Sequence, residues 1–244
     1  MSQIEPPRRP FLSAATIVLR APTQAWSSET GEIGESPIEG VYFSDTRIVS
    51  RLEVRFDGRA GERIATVARG ADTAEFVSVL RHLDDAAPDP RVRAVHTRRA
   101  TSTGVDEGLT ISSGLPRSIE TEIVIAIAAD LAGMDAVKSG VQAKPVDLEI
   151  RDDGVRWGHG SVTAELRTDA RLRNVGTAVE LVWNITVPPD GDVSVAWSIV
   201  ARDESASSRP LPVPPTGWCR RRGTATTDSI AGSPAPSLIS TRSG

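Results

Sequence analysis

The sequence of 244 residues predicts an antiparallel all-β protein of the β-sandwich type. Between Ala14 and Arg202 the apolar residues recur with period two far more often than with period 3.6. Short runs of Val, Ile and Thr are separated by Gly, Pro and Asp, which is typical of strands joined by turns. No helix of more than two turns is predicted before residue 204.

The strands are predicted one by one from this alternation. Residues 48–56 alternate apolar and charged side chains, and the Asp57-Gly58 pair that follows favours a two-residue hairpin turn, because type I′ turns need positive φ at both central positions. Residues 119–129 become apolar on both faces, which predicts a central strand between two sheets. The other strands are predicted at about residues 15–20, 63–69, 74–81, 92–100, 109–113, 146–151, 155–157, 162–167, 178–187 and 193–202.

Composition and charge exclude several classes of partner. The net charge is −4 and the isoelectric point is near 5.5, so the chain has no general attraction for nucleic acid or an anionic membrane. No apolar core of signal-peptide length follows Arg8 and Arg9, and no membrane-spanning apolar run occurs, which predicts a cytoplasmic protein. Cys219 is the only cysteine, so a disulfide framework and a multi-cysteine zinc site are excluded.

Motifs for catalysis are absent from the sequence. His82, His96 and His159 lie in separate contexts without metal-ligand spacing, which favours ordinary strand or surface histidines and predicts neither a metal nor a cofactor. No nucleophile elbow, phosphate-binding loop or dinucleotide-binding glycine motif occurs. Two carboxylates can hydrolyse a glycosidic bond, but the sequence identifies no such pair, and Glu120 and Glu122 are expected to be exposed.

Four of the tryptophans can be assigned by their neighbours. Trp183 and Trp197 lie within apolar strands, which predicts that they pack in the core. Trp26 and Trp157 lie beside turns, which favours exposed or interdomain rings. Because aromatic rings stack on sugar faces, Trp26 and Trp157 are the candidate sugar contacts.

The triplet Asp45-Thr46-Arg47 stands directly before the strand at residues 48–56. Asp45 could accept backbone N–H groups in an Asx turn and pair with Arg47 or Arg51. Two interpretations stay open at this point: a turn at the start of a strand with a local ion pair, or an element that contacts a ligand or another domain.

These residues carry a resemblance to a known family. The segment GVYFSDTRIVSRLEVRFDG is followed in order by EFVSVLRHLDD, VRAVHTRRATSTGVDEGLTISSG and RSIETEIVIAIAADLAGMDAVKSG. Together they resemble the N-terminal domain of bacterial glycogen debranching enzymes of the amylo-α-1,6-glucosidase type over about residues 14–202. The end of the last segment departs from the family pattern at Gly133, Met134, Ala136 and Lys138.

The resemblance implies a supersandwich-like β-sandwich over residues 14–203, preceded by a flexible segment at residues 1–13. In that family, glycoside hydrolysis occurs in a following (α/α)6 barrel, which this chain is expected to lack. Asp45, Thr46, Arg47 and Arg51 are then expected to be domain-contact or structural residues, and none is catalytic. The implied partners are the barrel and an α-glucan oligosaccharide, and an uncovered barrel-facing surface predicts poor solubility or self-association.

The segment 204–244 differs sharply in composition from the rest. It is rich in Pro, Ser and Arg and lacks an apolar period, which is typical of a disordered tail. A shifted reading frame across residues 228–244 permits the string FDRRLARALADLDALR, which has the period of an amphipathic helix and is similar to the first helix of the family's barrel. A frameshift between about Glu204 and Thr216 is therefore an alternative to a natural disordered tail.

Three functions are compatible with this sequence. The first is a non-catalytic accessory domain severed from a debranching glycosidase. The second is a free-standing carbohydrate-binding β-sandwich, for which Trp26 and Trp157 would supply the sugar contacts. A complete enzyme is the third, and the lack of a definable acid pair or triad disfavours it.

Overall fold

The computed structural model describes residues 15–86, 88–141, 143–152 and 154–205. Within these ranges the chain forms sixteen strands and one short helix, so the prediction of an all-β protein is confirmed. The predicted flexible segment at 1–13 and nearly all of the tail at 204–244 lie outside the described residues.

The elements have the following bounds in chain order: β1 Thr16–Arg20, β2 Thr23–Ser27, β3 Gly40–Phe43, β4 Thr46–Val49, β5 Arg51–Phe56, β6 Glu62–Ala68, β7 Thr73–Val79, β8 Val92–Thr101, β9 Gly104–Ser113, β10 Ile119–Ala128, α1 Met134–Lys138, β11 Glu149–Arg151, β12 Gly154–His159, β13 Val162–Thr168, β14 Arg171–Val175, β15 Ala178–Val187 and β16 Asp192–Asp203.

The strands form three antiparallel sheets around one main core. Sheet A has the order β1-β2-β3-β4, sheet B has the order β14-β15-β10-β5, and sheet C has the order β11-β12-β13-β16-β9-β8-β7-β6. The main hydrophobic core contains side chains from all three, including Val41 of sheet A, Ile125 of sheet B and Leu109 of sheet C. The predicted β-sandwich is therefore confirmed.

The position of β10 follows its sequence pattern. This strand pairs with β15 on one side and with β5 on the other, so it lies inside sheet B. Ile123, Ile125 and Ile127 are at most 1% exposed. The prediction of a central strand is confirmed by these two pairings, while Val124 and Ala126 on the other face are half-buried.

The predicted strand at residues 48–56 is divided in two. Ser50 separates β4, which belongs to sheet A, from β5, which belongs to sheet B, and its N–H donates to the carbonyl of Ala128 at 2.9 Å. The neighbouring residues Ile48 and Val49 are both fully buried, which a single regular strand with one exposed face would not allow. The sequence also failed to predict β2, β3 and β14, since β2 and β14 alternate too weakly and β3 is only four residues long.

The tight turn at Asp57-Gly58 is confirmed. Asp57 has φ of 47° and Gly58 has φ of 75°, and Phe56 and Arg59 exchange backbone hydrogen bonds of 2.8 and 2.9 Å. The flanking strands do not continue as a hairpin, because β5 pairs with β10 whereas β6 pairs with β7. Turn geometry is local, but the choice of sheet depends on which apolar faces the strands bury.

Gly104, at the start of β9, is expected to tolerate no side chain. Its φ is 149°, and an added Cβ would lie 1.9 Å from the carbonyl oxygen of Ile199 on β16. We expect Gly104→Ala to lower the free energy of unfolding by about 1–3 kcal/mol in urea denaturation. Gly108 of the same strand has open space at its Cβ position, so Gly108→Ala is the matched control. Equal stabilities of the two variants would contradict this account.

Candidate functional site

The Asp45-Thr46-Arg47 triplet lies across a hairpin rather than at the start of an isolated strand. Ser44 and Asp45 form the two-residue turn between β3 and β4, with φ of 54° at Ser44. The N–H of Ser44 donates to the carbonyl of Pro22 at 3.0 Å, and the carbonyl of Asp45 accepts the N–H of Met134 at 2.7 Å. The turn is thus held by its backbone on two sides, while the side chain of Asp45 is exposed.

Arg47 is buried, and its guanidinium makes several hydrogen bonds. Its Nε donates to Oδ1 of Asp130 at 3.0 Å, and its Nη2 donates to Oδ2 of the same carboxylate. Its Nη1 also donates to the carbonyls of Pro37 at 2.7 Å and Glu39 at 3.3 Å. Burial lowers the pKa of Arg47, but the hydrogen bond and charge of Asp130 outweigh burial and raise it. The bidentate pair therefore ties β4 to the segment that follows β10.

Gly40 leaves the space that the side chain of Arg47 occupies. A Cβ at Gly40 would lie 2.5 Å from Cδ of Arg47 and 2.9 Å from the carbonyl oxygen of Val49. The absence of a side chain on β3 therefore makes room for the arginine stem to cross it.

The predicted ion pair of Asp45 with Arg47 or Arg51 is wrong. Among the described residues the carboxylate of Asp45 has no hydrogen bond or salt bridge, and Arg51 instead donates to Glu53 at 2.6 Å on the surface. Arg47 pairs with Asp130, which is 83 positions away in sequence. Such a long-range partner leaves no signal near the motif. The proposed contact roles of Asp45, Thr46, Arg47 and Arg51 stay predictions.

The outer face of sheet A is defined by the strand register. Opposite residues share a face, so Ile17, Trp26 and Gly40 form one row, and Leu19, Gln24, Tyr42 and Arg47 form the next. The main core lies on the other side of sheet A, where Val18, Ala25 and Val41 point. One part of the outer face is covered by a second small cluster; its members are Tyr42, Ala132 and Val137, with Trp26, Ile38, Met134 and Ala143 packed against them.

The rest of this outer face is open. Ile17 is 42% exposed and Leu19 is 50% exposed. Trp26 is half-buried, and its Nε1 donates to Oε1 of Gln24 at 2.9 Å. Trp26 therefore lies at the border between the covered and the open part, and sugar contact at this ring stays a prediction.

The other tryptophans are buried. Trp157 is 5% exposed and its Nε1 donates to the carbonyl of Ile48 at 2.9 Å, so the expectation of an exposed ring is wrong for this residue. The neighbouring turn suggested an exposed ring, but Trp157 lies on the face of β12 that packs against the core. Trp183 is 8% exposed and Trp197 is 3% exposed, which confirms the prediction that both pack in the core.

A buried polar cluster that the sequence analysis missed lies on β8 and β9. Glu107 accepts from Nε of Arg98 at 2.7 Å through Oε1, and its Oε2 lies 2.7 Å from Nε2 of His96. Burial raises the pKa of the Glu107 carboxyl. The interactions with Arg98 and His96 outweigh burial, so the pKa is lowered. His96 lies within strand β8, in line with the prediction of a strand histidine, but it is buried in a polar cluster that the sequence did not indicate. His96, Arg98 and Glu107 lie at buried positions of β8 and β9, where buried and less buried residues alternate. This alternation of period two was the sequence signal for their burial.

Aromatic rings surround the polar cluster. His96 lies 5.6 Å from Phe76 and 5.6 Å from Trp197, measured between ring centroids, and the guanidinium carbon of Arg98 lies 5.6 Å from the ring centre of Phe76. Among the described residues, Nη1 and Nη2 of Arg98 and Nε1 of Trp197 have no hydrogen-bond partner although they are buried. The cluster therefore combines one strong ion pair with unmatched donors in an apolar surrounding.

A small cavity of about 60 Å³, which we call the His96 cavity, adjoins this cluster. It lies between the loop after β2, the end of β5 and the first strands of sheet C, and His96 forms part of its wall. Its apolar lining consists mainly of Val54, Phe56, Phe76 and Leu109.

A larger open groove of about 720 Å³ lies over β11, β12, β13 and β16. Its floor carries the ion pairs of Glu165 with Arg156 at 3.4 Å and with Arg167 at 2.7 Å. Two guanidinium groups share the one carboxylate of Glu165, so the groove presents an ion-pair network to solvent.

The described residues contain neither a metal-binding group nor a helix that could cross a membrane. No group of three or more His, Cys, Asp or Glu side chains in residues 15–205, apart from the three undescribed positions, could hold a metal ion. In the same part of the chain, no helix has the length and apolar character needed to cross a membrane.

Comparisons with known proteins place the chain in a family. The model of a family described as "N-terminal domain of (some) glycogen debranching enzymes" matches residues 18–198. The chain belongs to this family. The match covers β1 to β16 almost completely, so this debranching-enzyme N-terminal domain corresponds to the three sheets described above. A search of curated proteins found no significant match.

A solved structure shares the fold of this debranching-enzyme N-terminal domain. A galactose mutarotase-like protein from Lactobacillus casei ATCC 334 superposes with a TM-score of 0.55 at 8% identity, covering 77% of this chain and all of that chain. A putative kojibiose phosphorylase from the human microbiome gives a TM-score of 0.48 at 8% identity, covering 82% of this chain and 27% of that one. At such low identity the first similarity concerns the fold alone.

Proposed function

We propose that the chain is a non-catalytic accessory domain of a cytoplasmic glycoside hydrolase of the amylo-α-1,6-glucosidase class. The domain packs on an (α/α)6 catalytic barrel and shapes the rim of its active site. The family match over residues 18–198 carries this proposal. The two carboxylates that glycoside hydrolysis requires would come from the barrel.

The outer face of sheet A is the surface that suits this role best. Ile17 and Leu19 are exposed aliphatic side chains beside the half-buried ring of Trp26, which makes one apolar strip. Exposed apolar strips of this kind commonly mark interaction sites. The strip continues into the small cluster under α1, so a partner would extend an existing apolar layer.

Asp45 adds a charged contact next to this strip. Its turn and the turn at Pro22 are joined by a hydrogen bond, which places both at the same end of sheet A. The buried pair of Arg47 and Asp130 supports the turn from behind. We therefore assign Arg47 a structural role and Asp45 a contact role, in which its carboxylate would meet an arginine or a helix N-terminus of the barrel.

Association in trans tests this function. The full chain is mixed with the catalytic domain of a glycogen debranching enzyme of this family, and the dissociation constant is measured by calorimetry. Leu19→Arg is expected to weaken association by about tenfold or more, because a charge would have to enter the apolar centre of the interface.

The matched control is Ile64→Arg on β6. Ile64 is 52% exposed, which is close to the 50% of Leu19, but it lies on sheet C. Its replacement should leave the dissociation constant unchanged. No association of the wild-type chain, or equal losses in the two variants, would refute the proposed contact face.

A further inference from the structure

The wall of the His96 cavity includes a histidine whose other ring edge is held by a buried carboxylate. Glu107 is fully buried and its pKa is lowered chiefly by Arg98 against the effect of burial, so the carboxylate is ionised and can only accept hydrogen bonds. The 2.7 Å contact with His96 therefore requires that Nε2 of the imidazole carries the hydrogen and donates it. A neutral imidazole with its hydrogen on Nε2 has a lone pair on Nδ1.

Nδ1 of His96 has no hydrogen-bond partner among the described residues. The bond to Glu107 is the only hydrogen bond of this side chain within the described part of the chain. His96 is 5% exposed and forms part of the cavity wall. With Nδ1 directed into the cavity, a basic nitrogen oriented by a buried carboxylate would meet a group that donates a hydrogen bond.

The surroundings restrict the charge of a ligand. Glu29 pairs with Arg63 at 3.2 Å, and Glu32 pairs with Arg55, so the carboxylates at the rim of the cavity are already compensated. The rings of Phe56 and Phe76 offer apolar contact to C–H groups. A neutral molecule that combines hydroxyl groups with an apolar face matches this lining better than an ion.

We infer that the His96 cavity binds the edge of a neutral sugar, with one hydroxyl of the sugar donating to Nδ1 of His96. A volume of about 60 Å³ compares with roughly 30 Å³ per water in the liquid, so the cavity takes a hydroxymethyl or hydroxyl edge while the rest of the ring stays at the mouth. The assignment to an α-glucan end, as opposed to another neutral polyol, depends on the proposed function.

The test is nitrogen NMR of the histidine rings in the ¹⁵N-labelled full chain. Without ligand, Nδ1 of His96 should resonate as an unprotonated ring nitrogen. Maltose should shift this signal saturably, while His82, whose Nε2 lies 2.9 Å from the carbonyl of Phe56, and the exposed His159 serve as internal controls and should not move.

A variant pair locates the binding. Ala60 is exposed at the cavity mouth, so Ala60→Trp should block entry and weaken the maltose response by about tenfold or more. Ser112→Trp, at an exposed position of β9 that does not line the cavity, should leave the response intact.

Several results would overturn the inference. They are a protonated Nδ1 in the free protein, the absence of a saturable shift with maltose, an equal maltose response in the Ala60→Trp variant, and a shift with inorganic phosphate but not with maltose. None of these results would bear on association with a catalytic domain, which is measured through Leu19 on another sheet. The two proposals can therefore fail separately.

Discussion

Replacing Glu107 with Gln is expected to lower the free energy of unfolding by about 3–5 kcal/mol. Arg98 is 0% exposed, and Glu107 is the only carboxylate that it contacts among the described residues. The amide would leave the guanidinium as an uncompensated buried charge and would weaken the hydrogen bond from His96. Urea denaturation at neutral pH, followed by tryptophan fluorescence, measures the change directly because Trp197 stacks on His96.

The control for this experiment is Glu62→Gln on β6. Glu62 pairs with Arg81 at 2.9 Å, but the two side chains are 60% and 50% exposed. Such a pair is expected to contribute about 0–1 kcal/mol. If the Glu107 and Glu62 variants were equally stable, burial of the cluster would not have the importance assigned to it.

The loss at Glu107 should also depend on pH. The pKa of Glu107 in the folded chain is below its ordinary value, mainly because Arg98 and His96 outweigh the cost of burial. In the unfolded chain the pKa of a glutamate is about 4.3, so the ionised carboxylate stabilises the fold above that pH. The stabilisation is lost as the pH falls from there through the folded pKa. The difference between wild type and Glu107→Gln should therefore shrink in acid, and a constant difference would contradict ionisation at this site.

Arg47→Met is the second substitution with a large expected effect, again about 3–5 kcal/mol of unfolding free energy. The carboxylate of Asp130 is 8% exposed and would lose its bidentate partner. The carbonyls of Pro37 and Glu39 would lose a donor as well. Denaturation in urea gives the total, and hydrogen exchange should show the greatest loss of protection at the β3–β4 turn and α1.

The same motif supplies the control. Arg51 also carries a salt bridge, but its side chain is 49% exposed and its partner Glu53 is two residues away. Arg51→Met should change the stability by less than about 1 kcal/mol. A loss as large as that at Arg47 would show that burial does not separate the two arginines.

Much of the fold was predictable because it depends on neighbours along the chain. The alternation of apolar residues determined the class of the fold, most of the strands and the interior position of β10. Asp57-Gly58 determined a tight turn, since positive φ is a property of those two residues. The apolar surroundings of Trp183 and Trp197 were sufficient to place both rings in the core.

The candidate sites were decided by tertiary structure. The partner of Arg47 is Asp130, and the open strip on sheet A exists because β1 and β2 bring Leu19 and Trp26 to one face. The orientation of His96 depends on Glu107 of the next strand. A charged or polar side chain is stabilised in the interior by whichever partner the folded chain brings to it, and that partner is specified by sheet pairing over long separations. The sequence alone therefore determined which segments are strands, whereas packing determined which side chains meet.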